Sequence, residues 1–262
     1  MLNSKPDSHS TAFIPTSPAE RYTQALESGQ FMPDEAQAQA VQELDRVWKE
    51  LLTRYKASKK AFRRFRRQTY PKGVYMWGGV GRGKTWLMDQ FYDAVPFRRK
   101  TRMHFHHFMQ WVHQRLFQLT GTADPLKTLA KGLGAEVKVL CFDELFVNDI
   151  ADAIILGRLF QVMFDEGVVL VCTSNQPPED LYGHGFNRDR FAPGITAILK
   201  HMEVVAVNGI EDHRLHPGIA HQRYWVTGPG QPSAIEPVFR ALTEGQAVSD
   251  QPIAVGHRSL NV

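Results

Sequence analysis

A glycine-rich motif of eight residues constrains the fold of this chain more than any other feature. Residues 78–85 read Gly-Gly-Val-Gly-Arg-Gly-Lys-Thr and match the pattern G-x-x-x-x-G-K-[ST]. The apolar run 74–77 precedes the motif, and residues 85–95, which follow it, carry apolar side chains at helical spacing. A strand, a glycine loop and a helix in this order are typical of a loop whose backbone N–H groups surround phosphates.

The residue types of this loop favour the binding of a nucleoside triphosphate. Glycines allow the backbone to curl, and the helix that follows directs the positive end of its dipole at the phosphates. Lys84 is expected to reach the β- and γ-phosphates, and the Thr85 hydroxyl to bind Mg²⁺. The expected phosphate-binding residues are Gly78, Gly79, Val80, Gly81, Arg82, Gly83, Lys84, Thr85 and Trp86.

An acidic pair follows the apolar run 137–142 and supplies the second half of the predicted site. We expect Asp143 to orient Mg²⁺ through a water molecule, and Glu144 to act as the base that polarises the attacking water. An acid directly after the magnesium aspartate favours hydrolysis over a small-molecule kinase or a Ras-like GTPase. The sequence holds no Asn-Lys-x-Asp motif, which favours ATP over GTP.

Two further polar positions are candidates for roles near the γ-phosphate. Asn175 follows the apolar run 168–173, and ligands of open α/β sheets lie at the carboxyl ends of strands. It is expected to hydrogen-bond the nucleophilic water or the γ-phosphate. Arg188 or Arg190 is the candidate for an arginine finger that stabilises charge on the transferring phosphoryl group. The alternative for these arginines is a surface ion-pair strip.

Short apolar runs alternate with helix-length segments through the middle of the chain. This alternation predicts an α/β fold, a P-loop NTPase with a five-stranded parallel sheet sandwiched by helices. The predicted strands are 74–77, 102–105, 137–142, 168–173 and 202–207, and the predicted helices between them are 85–95, 108–118, 149–164 and 178–200.

The chain divides by pattern into four segments. Residues 1–16 are expected to be a flexible tail, and 17–70 an N-terminal helical segment with helices that begin after Ser17 and at Asp34 and a basic run at its end. Residues 71–208 form the predicted ATPase core. Residues 209–262 form a partial C-terminal region, with one short helix expected at 235–242 and one strand at 252–262.

The charge of the chain is concentrated in one run. Eight basic residues and no acidic one lie between Arg54 and Arg67, and the rest of the chain holds 23 basic and 27 acidic residues. This distribution disfavours a protein built throughout for nucleic acid. The run is either a solvated helix face or a contact for a single-stranded nucleic acid, an acidic protein surface or, peripherally, an anionic membrane.

Composition and the start of the chain predict a soluble cytoplasmic protein. Only two cysteines occur, which excludes a disulfide scaffold and favours a reducing compartment. No apolar stretch approaches the roughly 18 residues of a membrane span, and no signal peptide is evident.

These motifs resemble those of the AAA+ ATPases and, within them, the ZapE family, which is associated with cell division and has mitochondrial relatives. The resemblance covers residues 17–215. It rests on residues 73–85, 104–109, 141–147 and 173–178, with further agreement at 33–37, 149–152 and 189–191.

The resemblance implies an ATPase that assembles into a ring and acts on protein partners, with FtsZ as the partner in bacteria. It implies the same roles for the residues above: phosphate binding at 78–85, magnesium and water at Asp143 and Glu144, a sensor at Asn175 and a finger at Arg188 or Arg190. The C-terminal lid of the family extends beyond what residues after 208 supply, so an incomplete lid is expected here.

Two alternative functions remain open from the sequence. The first is a nucleic-acid-associated ATPase of helicase-loader type, in which the basic run would bind single strands with salt-dependent affinity. The second is a nucleotide-gated binding module that binds ATP but turns it over weakly. Steady turnover of ATP would argue against the second.

Overall fold

The computed structural model describes residues 16–29, 32–58, 70–183 and 185–208, and the backbone of two short strands near the C-terminus. The chain divides into two compact units, Met1–Leu215 and His216–Val262. The short helix expected at 235–242, most of the tail at 1–16 and the end of the basic run lie outside the described residues.

A parallel sheet of five strands forms the centre of the first unit. The strand order is β2-β3-β4-β1-β5, and every neighbouring pair is parallel. This confirms the fold class that the alternating pattern predicts. The strands are β1 (Gly73–Trp77), β2 (Lys100–His104), β3 (Val139–Asp143), β4 (Val169–Ser174) and β5 (Met202–Ala206).

Helices cover both faces of this sheet, and each face has its own apolar cluster. Neighbouring residues of β1 alternate between the two clusters, as the pleat of a strand requires: Val74 and Met76 lie in one and Tyr75 in the other. The helices are α1 (Pro18–Glu27), α2 (Glu35–Ser58), α3 (Lys84–Ala94), α4 (Phe105–Gln118), α5 (Pro125–Glu136), α6 (Ile150–Asp165) and α7 (Ala192–His201). None of them is both long and apolar enough to cross a membrane.

The N-terminal helices dock on the face that also carries α3. Ser17 and Glu20 form a capping box at the start of α1, with bonds of 2.8 and 3.2 Å, as the sequence predicts. Leu44 of α2 is fully buried, and the indole Nε1 of Trp48 donates to the Ala94 carbonyl over 2.8 Å. The predicted helical segment is therefore part of the apolar core of the first unit.

The structure corrects three predicted elements. The strand expected at 102–105 ends at His104, and Phe105 begins α4 because its ring is buried against Phe142, with 5.6 Å between centroids. The helix expected at 178–200 is replaced by two 3₁₀ turns and by α7, which begins at Ala192 with Pro193 in its first turn. The strand expected at 252–262 is an antiparallel pair, β6 (Ile253–Val255) and β7 (Arg258–Leu260).

One helix, α5, has no counterpart among the predicted elements. Asp124 caps it by accepting from the Lys127 N–H over 3.1 Å, and Pro125 occupies the first turn. Gly132 and Gly134 near its end weaken the helical pattern in the sequence. The buried residues Leu129, Ala130 and Leu133 anchor α5 to the cluster that α6 shares.

Close packing on α6 fixes the turn that carries Arg188 and Arg190. Gly157 of α6 lies so near this turn that an added Cβ would come within 2.2 Å of the Arg190 carbonyl oxygen. The turn is therefore seated directly on the helix backbone, and no larger side chain fits between them.

We predict opposite effects for alanine at two helical glycines. Gly157→Ala should lower the free energy of unfolding by about 1–3 kcal/mol, because the clash is with backbone atoms and exceeds the helix-propensity gain of about 1 kcal/mol. In Gly132→Ala no described atom lies within 4 Å of the new Cβ, so stability should rise by about 0.5–1 kcal/mol. Urea unfolding followed by circular dichroism measures both. Equal effects of the two variants would contradict the packing described here.

Candidate active site

Three parallel strands end at one edge of the sheet and bring the predicted site residues together. The glycine loop follows β1, Asp143 is the last residue of β3, and Asn175 follows β4. A cavity of about 350 Å³ lies at this edge. The described residues that line it are Val80, Gly81, Arg82, Gly83, Lys84, Thr85, Glu144, Thr173, Ser174 and Asn175.

The glycine loop has the conformation that its sequence demands. Gly81 and Gly83 have φ angles of 80° and 78°, in the left-handed region that favours glycine. The Gly78 N–H donates to the Ser174 carbonyl over 3.2 Å, which ties the start of the loop to the end of β4. Since α3 begins at Lys84, the N–H groups of its first turn lie beside the loop.

A residue of the N-terminal segment holds the loop from the other side. Gln37 is fully buried, and its amide Nε2 donates to the Arg82 carbonyl over 3.1 Å. Asp34 caps α2 by accepting from the Gln37 N–H over 3.2 Å and so positions this turn. In the sequence Gln37 belongs only to a helix start, and nothing in the pattern indicates its contact with the loop.

Lys84 lies between the loop and Asn175. Its ammonium donates to the carbonyls of Gly78 and Gly79, each over 2.7 Å, and to the Asn175 Oδ1 over 3.3 Å. Burial lowers the pKa of Lys84, and the nearby carboxylates of Asp143 and Glu144 offset part of that effect. The structure therefore places a buried cation beside an amide oxygen at the mouth of the loop.

Asp143 has the most constrained carboxylate in the site. It is 4% exposed, and its Oδ1 accepts from the Thr85 hydroxyl over 2.9 Å and from the Thr173 hydroxyl over 2.8 Å. Its Oδ2 accepts from the guanidinium of Arg102 over 3.3 Å. Three donors from α3, β4 and β2 therefore fix one side chain at the end of β3.

Thr173 and Arg102 are site residues that the sequence does not reveal. In the sequence Thr173 is only the last residue of the apolar run 168–173. In the structure its hydroxyl donates to Asp143 and also accepts from the Glu144 N–H over 3.0 Å. Arg102 lies in a predicted edge strand, and its guanidinium also pairs with Asp89 of α3. Their roles depend on the registers of β2, β3 and β4, which a sequence pattern does not specify.

Glu144 adopts a backbone conformation that is rare for its residue type. Its φ of 55° lies in the left-handed region, which costs free energy for any residue with a Cβ. The hydrogen bond from its N–H to Thr173 holds this conformation. The exposed side chain lines the cavity next to Lys84, Thr85 and Asn175.

Gly78, Gly79 and Asp143 are outside the described lining of this cavity but form hydrogen bonds with residues that line it. Three other predicted site residues lie apart from it. Arg188 and Arg190 are exposed in the 3₁₀ turn Arg188–Arg190, and the Arg188 guanidinium donates to the Glu179 carbonyl. Trp86 is not among the described residues that line the cavity, and its ring lies 6.4 Å from that of Tyr22 in α1. The roles given to these three residues stay predictions.

The donor set of the site fits Mg²⁺ bound together with a phosphate. The Thr85 hydroxyl and the Asp143 carboxylate are hard oxygen ligands 2.9 Å apart, which is the chemistry that Mg²⁺ prefers. Among the described residues, no three His, Cys, Asp or Glu side chains form a group that would hold a metal by themselves. The remaining ligands would have to come from phosphate oxygens and water.

Comparison with known proteins gives consistent matches along nearly the whole chain. The model of the AFG1-like ATPase family matches residues 16–262. Cell division protein ZapE of Escherichia coli is 39% identical over 257 residues, which are 93% of this chain and 68% of the relative. Lactation elevated protein 1 homolog B of Danio rerio is 38% identical over 205 residues, covering 73% of this chain and 40% of the relative.

One solved structure, that of DnaI, aligns with a TM-score of 0.49 at 17% identity, covering 70% of this chain and 87% of that one. A likeness of this degree has no bearing on function.

We predict that the Thr173 hydroxyl stabilises this part of the sheet. Thr173→Val keeps the shape of the side chain but leaves the Glu144 N–H without its acceptor and the Asp143 carboxylate without one donor. The free energy of unfolding should fall by about 1–3 kcal/mol, the cost of buried polar groups without a partner. Thr173→Ser keeps the hydroxyl and should lose clearly less. Denaturant unfolding of the two variants checks this, and a valine variant as stable as the serine variant would contradict it.

Proposed function

This chain belongs to the AFG1-like ATPase family, as its motifs predict, and from that premise we propose that it hydrolyses ATP with Mg²⁺ at the cavity beside the glycine loop. The observation that carries the proposal is that Lys84, Thr85 and Glu144 line one cavity and that Asp143 accepts a hydrogen bond from the Thr85 hydroxyl beside it. Lys84 and Thr85 begin α3, Asp143 ends β3 and Glu144 follows it, and the sequence predicts all four for the same chemistry.

The glycine loop and Lys84 would bind the phosphates. The Lys84 ammonium would exchange its bonds to the Gly78 and Gly79 carbonyls for bonds to β- and γ-phosphate oxygens. Thr85 and Asp143 would hold Mg²⁺, which when bound neutralises the charge that develops on the phosphates. Arg102 and Thr173 keep the Asp143 carboxylate in one orientation, so they act as positioning residues.

Glu144 is the residue that we propose as the base for the attacking water. It lines the cavity on the side of Asn175, whose amide oxygen is already bonded to Lys84. A carboxylate held by its backbone beside the phosphate loop can polarise a water for in-line attack. Asn175, as the proposed sensor, would change partner when Lys84 turns to the γ-phosphate.

A second cavity supports the proposed arginine finger. It has a volume of about 670 Å³, shares Glu144 and Asn175 with the first, and is also lined by Asp149 and Asp152. Negative side chains at its wall would attract a guanidinium. Since Arg188 and Arg190 are exposed outside both cavities, a finger from this turn would act on a second copy of the chain, in a ring.

The cellular role is proposed from similarity. The relative from Escherichia coli is named a cell division protein, which supports a role in cell division and coupling of the ATPase cycle to a protein partner, with FtsZ as the candidate. Most of the basic run lies outside the described residues, so the structure does not test the helicase-loader alternative.

We predict that Glu144→Gln separates ATP binding from turnover. The amide keeps the shape of the side chain but is no base, so turnover should fall by about 10²-fold or more, which is a typical contribution of a general base. ATP affinity should change less than about threefold, because the phosphate ligands remain. Phosphate release and equilibrium binding of a fluorescent ATP analogue measure the two quantities.

A hydrolysis rate unchanged in Glu144→Gln would remove Glu144 from this role. If the unmodified chain binds ATP but shows no measurable turnover, the nucleotide-gated binding module is favoured instead. Glu179→Gln, which alters an exposed glutamate outside the first cavity, is the matched control and should leave turnover unchanged.

We also predict that Arg102→Met weakens the binding of Mg²⁺ at the site and therefore raises the Mg²⁺ concentration that ATP binding needs. The positive charge of Arg102 is offset by Asp89, so the main loss is the bond that orients Asp143. The Mg²⁺ concentration for half-maximal binding of a fluorescent ATP analogue should rise by about tenfold, the effect of one charge-assisted hydrogen bond. Affinity for the same analogue in EDTA should not change.

Arg158→Met is the matched control for Arg102→Met, because Arg158 also pairs with an aspartate, Asp124, over 2.7 Å, and neither residue lines the first cavity. It should leave the Mg²⁺ titration unchanged. Superimposable titrations of the two variants would show that Arg102 has no part in the magnesium site.

A further inference from the structure

A third cavity, different in its chemistry from the two described above, lies at the opposite end of the sheet from the glycine loop. It has a volume of about 360 Å³; seven of its ten described lining residues precede or begin strands, and the other three belong to α2. β1 separates Pro71 from the loop and spans roughly 16 Å at about 3.3 Å per residue. The cavity is lined by Leu51, Arg54, Tyr55, Tyr70, Pro71, Phe97, Arg99, Lys138, Gly167 and Val169.

Backbone hydrogen bonds of the sheet bring the cationic side chains of this cavity together. The Lys138 N–H donates to the Arg99 carbonyl over 2.8 Å, and the Val169 N–H donates to the Lys138 carbonyl over 2.9 Å. The Arg99 guanidinium also donates to the Gly134 carbonyl at the end of α5 over 3.1 Å. The cavity is therefore a built feature of the sheet edge.

Aromatic rings form the walls of the cavity. Tyr55 and Phe97 pack with 5.6 Å between centroids. The Tyr70 ring is seated on Gly167, where an added Cβ would come within 2.1 Å of a ring atom. Arg54 and Lys138 lie 5.7 and 5.8 Å from the centre of the Tyr70 ring, within the range of cation–π contacts.

Among the described residues the Lys138 ammonium has no hydrogen bond or ion pair, whereas the Arg99 guanidinium donates to carbonyls at the end of α5. Arg54, Arg99 and Lys138 line the cavity, and none of its described lining residues is acidic. Burial lowers the pKa of Lys138, the charge of Arg99 lowers it further, and the Glu166 carboxylate opposes both effects. A bound anion would relieve this repulsion and replace water that the ammonium has lost on burial.

We propose that this cavity binds an aromatic carboxylate, with its ring against Tyr55, Phe97 and Tyr70 and its carboxylate paired with Lys138. Aromatic walls select a ring because of the large apolar area that it buries, and the cations select a negative group beside it. The volume lies within the range of small-molecule sites. A free aromatic acid and the last residue of a polypeptide that ends in Trp or Phe share this chemistry.

A matched pair of probes tests the proposal on the full chain without any substitution. Isothermal titration with N-acetyl-tryptophan, an anion, and N-acetyl-tryptophanamide, its neutral counterpart, compares the same ring with and without the carboxylate. The anion should bind about tenfold more tightly, the effect of one charge-assisted hydrogen bond. Equal affinities, or no measurable binding of either probe, would overturn the proposal.

Variants locate the binding at this cavity. Lys138→Met removes the ammonium and keeps much of the side-chain length, so it should abolish the preference for the anion and leave the amide unchanged. Lys131→Met makes the same change at an exposed lysine of α5 outside the lining and should keep the preference. If both variants behave alike, the anion binds elsewhere and the proposal fails. If Lys138→Met does not fold, Lys138→Gln, which removes the same charge and keeps a polar side chain, takes its place with the same loss expected.

Peptides distinguish the two sources of the ligand. A peptide that ends in Trp with a free carboxylate is compared with the same peptide amidated at its C-terminus. Tighter binding of the free peptide than of N-acetyl-tryptophan supports a polypeptide end as the ligand, and weaker binding supports a free aromatic acid. Turnover of ATP should be the same in Lys138→Met and the unmodified chain, because the two cavities lie at opposite ends of the sheet.

Discussion

The position of a single carboxylate, that of Asp143, determines whether the rest of the site can work. Its oxygens accept from Thr85 of α3, Thr173 of β4 and Arg102 of β2, so one side chain connects the helix after the glycine loop to both strands that flank β3. Since the carboxylate is nearly buried, losing any of these donors would leave a charge that the surroundings no longer satisfy. The fold therefore constrains the side chain of Asp143 more strongly than the exposed side chain of Glu144 beside it.

The parallel sheet also explains why two chemically different cavities lie in one small unit. At the carboxyl ends of the strands, loops with free N–H groups and acidic side chains suit phosphates and a cation. At the amino ends, the segments that enter the sheet carry Arg99 and Lys138 against aromatic rings. β1 connects both ends, so the two cavities are held at a fixed separation by one buried strand.

The sequence predicts those parts of the structure that depend on local chemistry. The loop at 78–85, the end of β3 at Asp143 and the capping box at Ser17 each have a pattern within a few residues. Features that depend on register or on distant packing were not predictable in this way. Phe105 is helical because its ring packs on Phe142, and Gln37 reaches the loop only because α2 docks on α3. The helix α5, weakened by two glycines, forms through its buried residues.

The contact of Gln37 with the loop gives the N-terminal helices a part in the site itself. The Gln37 amide bonds to the Arg82 carbonyl, and the space beside Gly83 is so small that a Cβ there would lie 2.9 Å from the same amide. A shift of α2 along its axis would therefore move the backbone that is expected to surround the phosphates. Because α2 continues towards the aromatic cavity, where it contributes Leu51, Arg54 and Tyr55, one rigid helix contacts both ends of the sheet.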